Sequence, residues 1–266
     1  MLLIKYIILG IIQGFTEPLP ISSSGHLIIF KTLFNDKVLN DINFEIIVNF
    51  GSLIAVIILY KNEILNIIKD FFLYLKTKNN KYKINYKYTF NIIIGTIPAC
   101  IIGFVFKEKI DNLSTIKVVG FSLIITSILL YLVKNKKGNK DKKDITYIDS
   151  FKIGLFQSIA LIPGISRSGA TIVGALSSNL NKETSVNYSF MLYIPISIAS
   201  LILGVFDLLK SSNLSDLIIP YFVSLVFASF TTYFSSKLFI NIIKKEKLIY
   251  FSIYCIIVGL LVILLN

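Results

Sequence analysis

Long stretches of apolar residues constrain the fold of this chain more than any other feature. A helix needs about 20 apolar residues to cross the hydrocarbon core of a bilayer. Segments that meet or approach this length lie at about 43–60, 89–106, 116–133, 186–209, 217–240 and 248–265. Only 16% of the residues are charged, and they cluster between these segments, which leaves no water-soluble surface. The sequence therefore predicts an all-α integral membrane protein.

Three further apolar stretches are interrupted or too short to cross a membrane. Those near 2–16 and 151–162 end at turns rich in Pro, Ser and Gly, which is typical of re-entrant segments. The stretch at 64–75 is short and contains Lys69 and Asp70. We therefore expect it to lie in the membrane interface.

The basic residues indicate how the chain is oriented in the membrane. Of 27 basic residues, 26 are lysines, and most lie in loops next to apolar segments. This placement favours anionic lipid head groups over nucleic acid as the partner of the +12 net charge. Lysine clusters at 76–87 and 134–143 predict two cytoplasmic loops, which places 107–117 on the other side.

The chain contains an internal repeat. Shifted by 144 positions, residues 10–25 align without a gap to residues 154–169. The identical pairs are Gly10/Gly154, Gln13/Gln157, Ile21/Ile165, Ser22/Ser166, Ser24/Ser168 and Gly25/Gly169. Similarity between unrelated apolar helices rarely keeps Gln, Ser and Gly in register.

This repeat divides one membrane domain into two halves. We predict a first half at 1–133, a basic cytoplasmic linker at 134–150 and a second half at 151–266. Each half has a re-entrant helix-turn-helix followed by about three transmembrane helices. The lysine distribution places the first turn on the outer side and the second on the cytoplasmic side, which is an inverted repeat. The two turns should meet near the midplane and form one site.

The two turns contain the ionisable residues that are expensive to place at membrane depth. Glu17 follows Gln13 by four residues, so both side chains lie on one helix face. A carboxylate in hydrocarbon costs at least ~2.5 kcal/mol, so Glu17 needs a partner, either Arg167 or a metal ion. The alternative is that Glu17 and Arg167 form only a structural ion pair between the halves.

Arg167 and His26 are the only arginine and the only histidine in the chain. A guanidinium binds phosphate oxygens through two parallel hydrogen bonds, which a lysine cannot do. An imidazole titrates near neutral pH, which makes His26 a candidate proton carrier or nucleophile. Arg167 therefore points to a phosphate ligand, and His26 to proton transfer or nucleophilic attack.

The serines of the turns have two interpretations. Ser22 and Ser166 match in the repeat, so we expect a shared role in capping a helix or holding an anion. Ser23 aligns with Arg167 and departs from the symmetry. It is therefore the better candidate for chemistry, as a nucleophile or as a hydrogen-bond donor to the phosphate.

The stretches QGFTEPLPISSSGH and PGISRSGAT resemble the two hallmark motifs of the undecaprenyl pyrophosphate phosphatase (bacitracin-resistance) family, and the resemblance covers nearly the whole chain. It implies removal of the terminal phosphate from the C55 isoprenyl pyrophosphate carrier, which regenerates the monophosphate for cell-wall synthesis. It also implies a multi-pass protein of the bacterial plasma (inner) membrane, with a site facing the extracytoplasmic side. A divalent cation, Mg²⁺ or Ca²⁺, is the implied cofactor, and a homodimer is a possible assembly.

The resemblance implies roles for individual residues. The implied catalytic residues are Glu17, Ser23, His26 and Arg167, and Glu17 is also the implied metal ligand. The implied substrate-binding residues are Gln13, Ser22, Ser24, Gly164, Ser166, Ser168 and Thr171. The chain departs from the family pattern at Gln13, where many members have Glu, and at Asn49, where Gln is expected. The first departure removes a charge and weakens any metal role for that position.

Two questions stay open at the level of sequence. The nucleophile is Ser23 assisted by His26, His26 itself, or a water molecule activated by His26. The rival function from another class is a secondary transporter or a flippase for an isoprenyl phosphate lipid, because inverted repeats with broken helices are common in transporters. The type 2 phosphatidic acid phosphatases need two histidines, whereas this chain has one.

Overall fold

The computed structural model describes residues 2–34, 42–209, 214–244 and 247–265. Within these ranges the secondary structure is helical, apart from one isolated bridge between Lys140 and Leu180. The α-helices of the described residues are α1 (Leu2–Thr16), α2 (Ser23–Phe34), α3 (Ile42–Leu59), α4 (Lys61–Thr77), α5 (Lys83–Val105), α6 (Lys107–Asp111), α7 (Ile116–Val133), α8 (Tyr147–Ile159), α9 (Arg167–Ser177), α10 (Lys182–Leu209), α11 (Leu214–Lys244) and α12 (Leu248–Leu264). Short 3-10 helices precede α5 (Asn80–Tyr82) and α8 (Lys142–Asp144).

The helices of the described residues confirm the prediction of an α-helical membrane protein. Four helices, α5, α7, α10 and α11, are long and apolar enough to cross a bilayer. The pair α3 and α4 is bent by 73°, and it makes a fifth candidate if the pair counts as one span. Helix α12, predicted as a sixth span, has 17 residues, which is about 25 Å and the lower limit for crossing. Helix α1 is also apolar and short, as expected for a re-entrant segment.

Helix α1 ends where prolines enter the sequence. Its last residue is Thr16, and Pro18 follows within the next turn. Because proline has no N–H, it cannot donate to the carbonyl of Gly14, four residues earlier. The Ser235 hydroxyl of α11 donates to that carbonyl at 2.8 Å. A neighbouring helix thus satisfies the backbone group that the broken helix leaves free.

Helix α1 runs alongside α11 in the parallel direction. A Cβ on Gly10 would lie 2.5 Å from the carbonyl oxygen of Ser224, and one on Gly14 would lie 2.3 Å from that of Ala228. Advancing along α1 therefore advances along α11. Both positions need glycine because the two backbones touch.

Helix α8 packs on α5 in the same manner. A Cβ on Gly154 would lie 2.5 Å from the carbonyl oxygen of Gly95, and one on Gly103 would lie 3.6 Å from the side chain of Leu161. Helix α8 therefore runs parallel to α5. Gly10 and Gly154 match in the repeat, so the same position makes a backbone contact in both halves.

Helices α7 and α12 pair in the antiparallel direction. The Ser127 hydroxyl donates to the carbonyl of Ser252 at 2.7 Å, and the Ser252 hydroxyl donates to that of Ser127 at 2.9 Å. Gly120 and Gly259 each face the other's carbonyl oxygen. Helices α5 and α7 follow each other across the bundle, as do α11 and α12, so the two members of each pair run in opposite directions. Helix α8 is parallel to α5, and α1 is parallel to α11. Because α7 and α12 are antiparallel, α1 and α8 enter from opposite ends of the bundle. This packing supports the inverted repeat, which stays a prediction together with its boundaries.

Candidate active site

The two Ser/Gly turns lie against each other through equivalent residues. A Cβ on Gly25 would lie 3.1 Å from the Cα of Gly164, and a Cβ on Gly169 would lie 3.4 Å from the Cβ of Pro20. At the offset of the repeat, Gly25 matches Gly169 and Pro20 matches Gly164. The two contacts are therefore the same contact made twice, as in a two-fold arrangement. The structure brings together the two turns that the sequence singled out.

Glu17 is the centre of the polar cluster at this junction. Its Oε2 accepts hydrogen bonds from Nε2 of Gln13 at 2.7 Å and from the Ser23 hydroxyl at 2.5 Å. Its Oε1 forms an ion pair with Nη2 of Arg167. Glu17 is only 8% exposed, and three donors on its two oxygens offset the cost of burying the charge. Of the two partners expected for Glu17, the structure supplies the arginine.

Arg167 is held by groups of α10 as well as by Glu17. Its guanidinium carbon lies 3.9 Å from the ring centroid of Tyr193, and its Nη1 donates to the Ser197 hydroxyl at 3.4 Å. The Tyr193 hydroxyl in turn donates to Oδ1 of Asn49 at 2.9 Å. The aromatic face attracts the cation and fixes its plane. Sequence reasoning missed Tyr193 and Ser197, because they follow the turns by a long stretch of apolar helix.

Ser22 and Ser166 cap the helices that follow the two turns. The Ser22 hydroxyl accepts from the backbone N–H of Gly25 at 3.2 Å, and the Ser166 hydroxyl accepts from that of Gly169 at 3.1 Å. Ser22 also adopts a φ of 69°, which is rare for a residue with a Cβ. Of the two roles expected for this pair, capping is the one that the hydrogen bonds support.

The hydroxyls of Ser24, Ser168 and Thr171 lie around the caps. Ser24 shares a 3.4 Å hydrogen bond with the Ser22 hydroxyl. Ser168 donates to the carbonyl of Leu19 at 2.9 Å and so links the two turns. Thr171 is buried and donates to the Arg167 carbonyl at 2.9 Å. Their contact with a substrate stays a prediction.

Gly164 has a structural reason to be glycine. Its φ is +92°, in the left-handed region that favours residues without a Cβ. A Cβ there would lie 2.7 Å from the Cβ of Ser122 and 2.8 Å from the Cα of Val119, both on α7. The turn and its close approach to α7 both require this residue. Its predicted role in substrate binding is neither supported nor excluded by this packing.

His26 is bonded at both ring nitrogens. Its Nδ1 lies 2.7 Å from the carbonyl oxygen of Ser22, and its Nε2 lies 2.7 Å from the hydroxyl oxygen of Tyr254. A carbonyl only accepts, so Nδ1 carries the hydrogen. The Ser23 hydroxyl donates to Glu17, whereas the sequence led us to expect His26 as its partner. Tyr254 could not be predicted, because it lies in an apolar helix far along the chain.

A small cavity lies beside the ion pair. Its volume is about 20 Å³, and Glu17, Arg167, Tyr193 and Phe190 are among its lining residues. This volume holds about one water molecule. The cavity beside the closed ion pair is therefore smaller than a diphosphate.

The side chains available to a cation offer oxygen ligands. The amide of Gln13, the carboxylate of Glu17 and the hydroxyl of Ser23 lie together. No cluster of three or more His, Cys, Asp and Glu residues occurs among the residues that the structure describes. Oxygen donors fit Mg²⁺ or Ca²⁺, and with one carboxylate such a cation would need further oxygens from a bound phosphate.

Fold and site together define the class: a multi-pass helical membrane protein whose polar centre is a Glu–Ser–Arg cluster at the junction of two Ser/Gly turns. The family model described as "Bacitracin resistance protein BacA" matches residues 6–261. The chain therefore belongs to the BacA bacitracin resistance family. This membership confirms the resemblance inferred from the two motifs.

Curated relatives match nearly the whole chain. A protein of Bacillus thuringiensis named undecaprenyl-diphosphatase 2 is 44% identical over 260 residues, which are 97% of this chain and 96% of the relative. Undecaprenyl-diphosphatase 1 of Bacillus licheniformis is 41% identical over 266 residues, with 99% and 98% coverage. The undecaprenyl-diphosphatase of Oceanobacillus iheyensis is 37% identical over 265 residues, with 98% and 96% coverage.

Proposed function

We propose that this protein is an undecaprenyl-diphosphatase. It removes the terminal phosphate from undecaprenyl diphosphate and releases undecaprenyl phosphate, which returns to cell-wall synthesis, and inorganic phosphate. Relatives that are 37–44% identical over nearly the full length carry this name. The observation in the structure that carries the proposal is the contact of Ser23 and Arg167 with the two oxygens of Glu17.

Substrate recognition follows from an exchange of partners on Arg167. The diphosphate takes the place of Glu17 on the guanidinium, because phosphate oxygens can accept two parallel hydrogen bonds from its planar fork. Tyr193 and Ser197 hold the guanidinium from the other side during this exchange. The exchange also explains how a substrate fits a site whose cavity is about 20 Å³ while the ion pair is closed.

The exchange prepares Glu17 for chemistry. Its Oε2 already accepts the hydrogen of the Ser23 hydroxyl. Once the diphosphate has taken Arg167, Glu17 is free to accept that proton, and the Ser23 oxygen bonds to the terminal phosphorus. The bond from that phosphorus to the bridging oxygen breaks, and undecaprenyl phosphate leaves. Water then attacks the phosphoserine, which restores the hydroxyl and releases phosphate.

A divalent cation supports this reaction by neutralising charge on the diphosphate oxygens. Glu17 is the residue that would hold the cation, and Gln13 and Ser23 are nearby residues with neutral oxygen atoms that could act as further ligands. We expect a chelator to abolish activity and Mg²⁺ or Ca²⁺ to restore it. Full activity in excess chelator would contradict the cation proposal and leave the role of Arg167 intact.

The protein is multi-pass in the membrane. We propose the plasma membrane of a bacterium, because the curated relatives are bacterial, and a site reached from the extracytoplasmic side, as the family resemblance implies. The lysine-rich loops 76–87 and 134–143 would then be cytoplasmic. A homodimer stays a prediction.

Phosphate release by the purified protein tests the function. With undecaprenyl diphosphate we expect one phosphate per lipid and no hydrolysis of the monophosphate product. Ser23→Ala should lose at least about 100-fold in kcat if Ser23 is the nucleophile. An acid-stable phosphoprotein trapped in the wild type and absent from Ser23→Ala would support this assignment, whereas an acid-labile one would favour His26. Lipid transport without hydrolysis would contradict the proposed phosphatase activity and favour a flippase.

A further inference from the structure

The C-terminal helix reaches the first turn at two neighbouring residues. The Cys255 thiol lies 3.7 Å from the carbonyl oxygen of Pro20. One residue earlier, the Tyr254 hydroxyl lies 2.7 Å from Nε2 of His26, and the two rings are nearly parallel at 11° with centroids 5.6 Å apart. Helix α12 therefore contacts both the backbone of the turn and its titratable side chain.

A side chain of α7 makes an equivalent contact with the second turn, but it bonds only to backbone atoms. Thr126 of α7 donates to the carbonyl of Gly164 at 3.4 Å and accepts from the N–H of Ser166 at 3.2 Å. Helices α7 and α12 pair with each other, and each is the last helix of its predicted half. Backbone contacts are thus enough to hold a turn against the neighbouring helix. The contact with the His26 side chain is additional and occurs at the first turn.

The hydrogen bonds of His26 fix its tautomer. Its Nδ1 faces the carbonyl of Ser22, which can only accept, so Nδ1 carries the hydrogen and Nε2 presents its lone pair. The Tyr254 hydroxyl donates to that lone pair. Because a hydroxyl can also accept, the contact can persist when Nε2 is protonated. His26 is only 4% exposed, so no bulk water replaces this partner.

We propose that Tyr254 is a positioning residue for His26: its hydroxyl holds Nε2 of the imidazole, which keeps Nδ1 on the Ser22 carbonyl and so fixes the backbone next to Ser23 during phosphate hydrolysis. The proposal rests on the proposed function. It assigns to α12, which carries no motif residue, a part in placing Ser23 for the reaction. Removing the hydroxyl while keeping the ring should therefore lower kcat and leave substrate binding by Arg167 unchanged.

The test compares Tyr254→Phe with Tyr250→Phe, which removes an exposed hydroxyl one turn away on the same helix. Since His26 is the only histidine, ¹⁵N-imidazole NMR of the full-length protein in detergent reports on this residue alone. In the wild type we expect protonated Nδ1 and a hydrogen-bonded Nε2. Tyr254→Phe should move the Nε2 resonance towards that of a free acceptor, and Tyr250→Phe should leave it unchanged.

Kinetics of the same variants complete the test. Tyr254→Phe should lower kcat about tenfold, the equivalent of one hydrogen bond, with KM within about twofold of the wild type. An unchanged Nε2 resonance would overturn the proposal. So would an unchanged kcat per folded molecule, which would mean that Tyr254 only supports the fold. Absence of phosphate release by the wild type would instead refute the proposed function, and the NMR result would remain interpretable.

Discussion

Glu17 organises the site at the scale of single residues, because side chains from three parts of the chain donate to its two oxygens. One donor, Gln13, is local and lies one helical turn away. The others come from the two turns, Ser23 from the first and Arg167 from the second. In the proposed mechanism the ion pair is a closed form that the diphosphate opens, so its acceptor oxygens replace those of Glu17 on Arg167.

Tyr193 should matter through its ring more than through its hydroxyl. Tyr193→Phe keeps the aromatic face on Arg167 and loses the hydrogen bond to Asn49, so we expect a loss in kcat/KM of at most about fivefold. Tyr193→Leu removes the cation–π contact and should cost about tenfold or more. Steady-state kinetics on both variants provide the measurement. Equal losses in the two would show that stacking does not hold the guanidinium.

Gln13→Glu should strengthen the interaction with a divalent cation. The change places a second carboxylate one helical turn from Glu17, and charge count tunes the affinity of oxygen sites for Mg²⁺ and Ca²⁺. We expect the cation concentration for half-maximal activity to fall about tenfold. Gln13→Met serves as the neutral control and should give no such gain. A higher cation requirement in Gln13→Glu would argue against a cation beside Glu17.

At the scale of elements, glycines and serines let broken helices pack at membrane depth. Gly154 brings α8 against the backbone of α5, and Ser235 satisfies the carbonyl that Pro18 leaves free in α1. Ser22 and Ser166 cap the helices that restart after each turn. Short polar side chains thus replace the hydrogen bonds that water would make at the ends of these helices in a soluble protein.

Gly154→Ala and Gly103→Ala form a matched pair where α5 packs against α8 and against Leu161, which follows α8. The added Cβ at position 154 would lie 2.5 Å from a carbonyl oxygen, whereas at position 103 it would lie 3.6 Å from a leucine side chain. We expect Gly154→Ala to lose about 1–3 kcal/mol, or several degrees in melting temperature, and Gly103→Ala to stay near the wild type. Thermal unfolding in detergent measures both. Similar melting temperatures would contradict the close approach of the two helices.

At the scale of the whole molecule, the sequence predicted the helical membrane fold and the meeting of the two turns. Apolar length indicated the spans, and the match of residues 10–25 to 154–169 indicated the turns. The contacts of Tyr254 with His26 and of Tyr193 with Arg167 could not be predicted. Each joins helices far apart in the chain, and a tyrosine in an apolar helix has no local pattern that reveals its partner.

The predicted orientation of α7 in the membrane can be tested by labelling single cysteines in intact cells. Ser114 and Lys136 are exposed residues in loops at opposite ends of α7. With a membrane-impermeant maleimide, Ser114→Cys should react in intact cells and Lys136→Cys only after permeabilisation. The parent chain, with Cys100 and Cys255 inside helices, gives the background. Reaction of both variants in intact cells, or the reverse pattern, would contradict the orientation.

The most direct test of the account is phosphate release from undecaprenyl diphosphate by purified Arg167→Lys. Lysine keeps the positive charge and loses the planar fork that exchanges Glu17 for the diphosphate. We predict a loss of at least about 100-fold in kcat/KM at unchanged amounts of folded protein. Turnover within a few-fold of the wild type would contradict the exchange of partners on Arg167, and with it the mechanism proposed for this site.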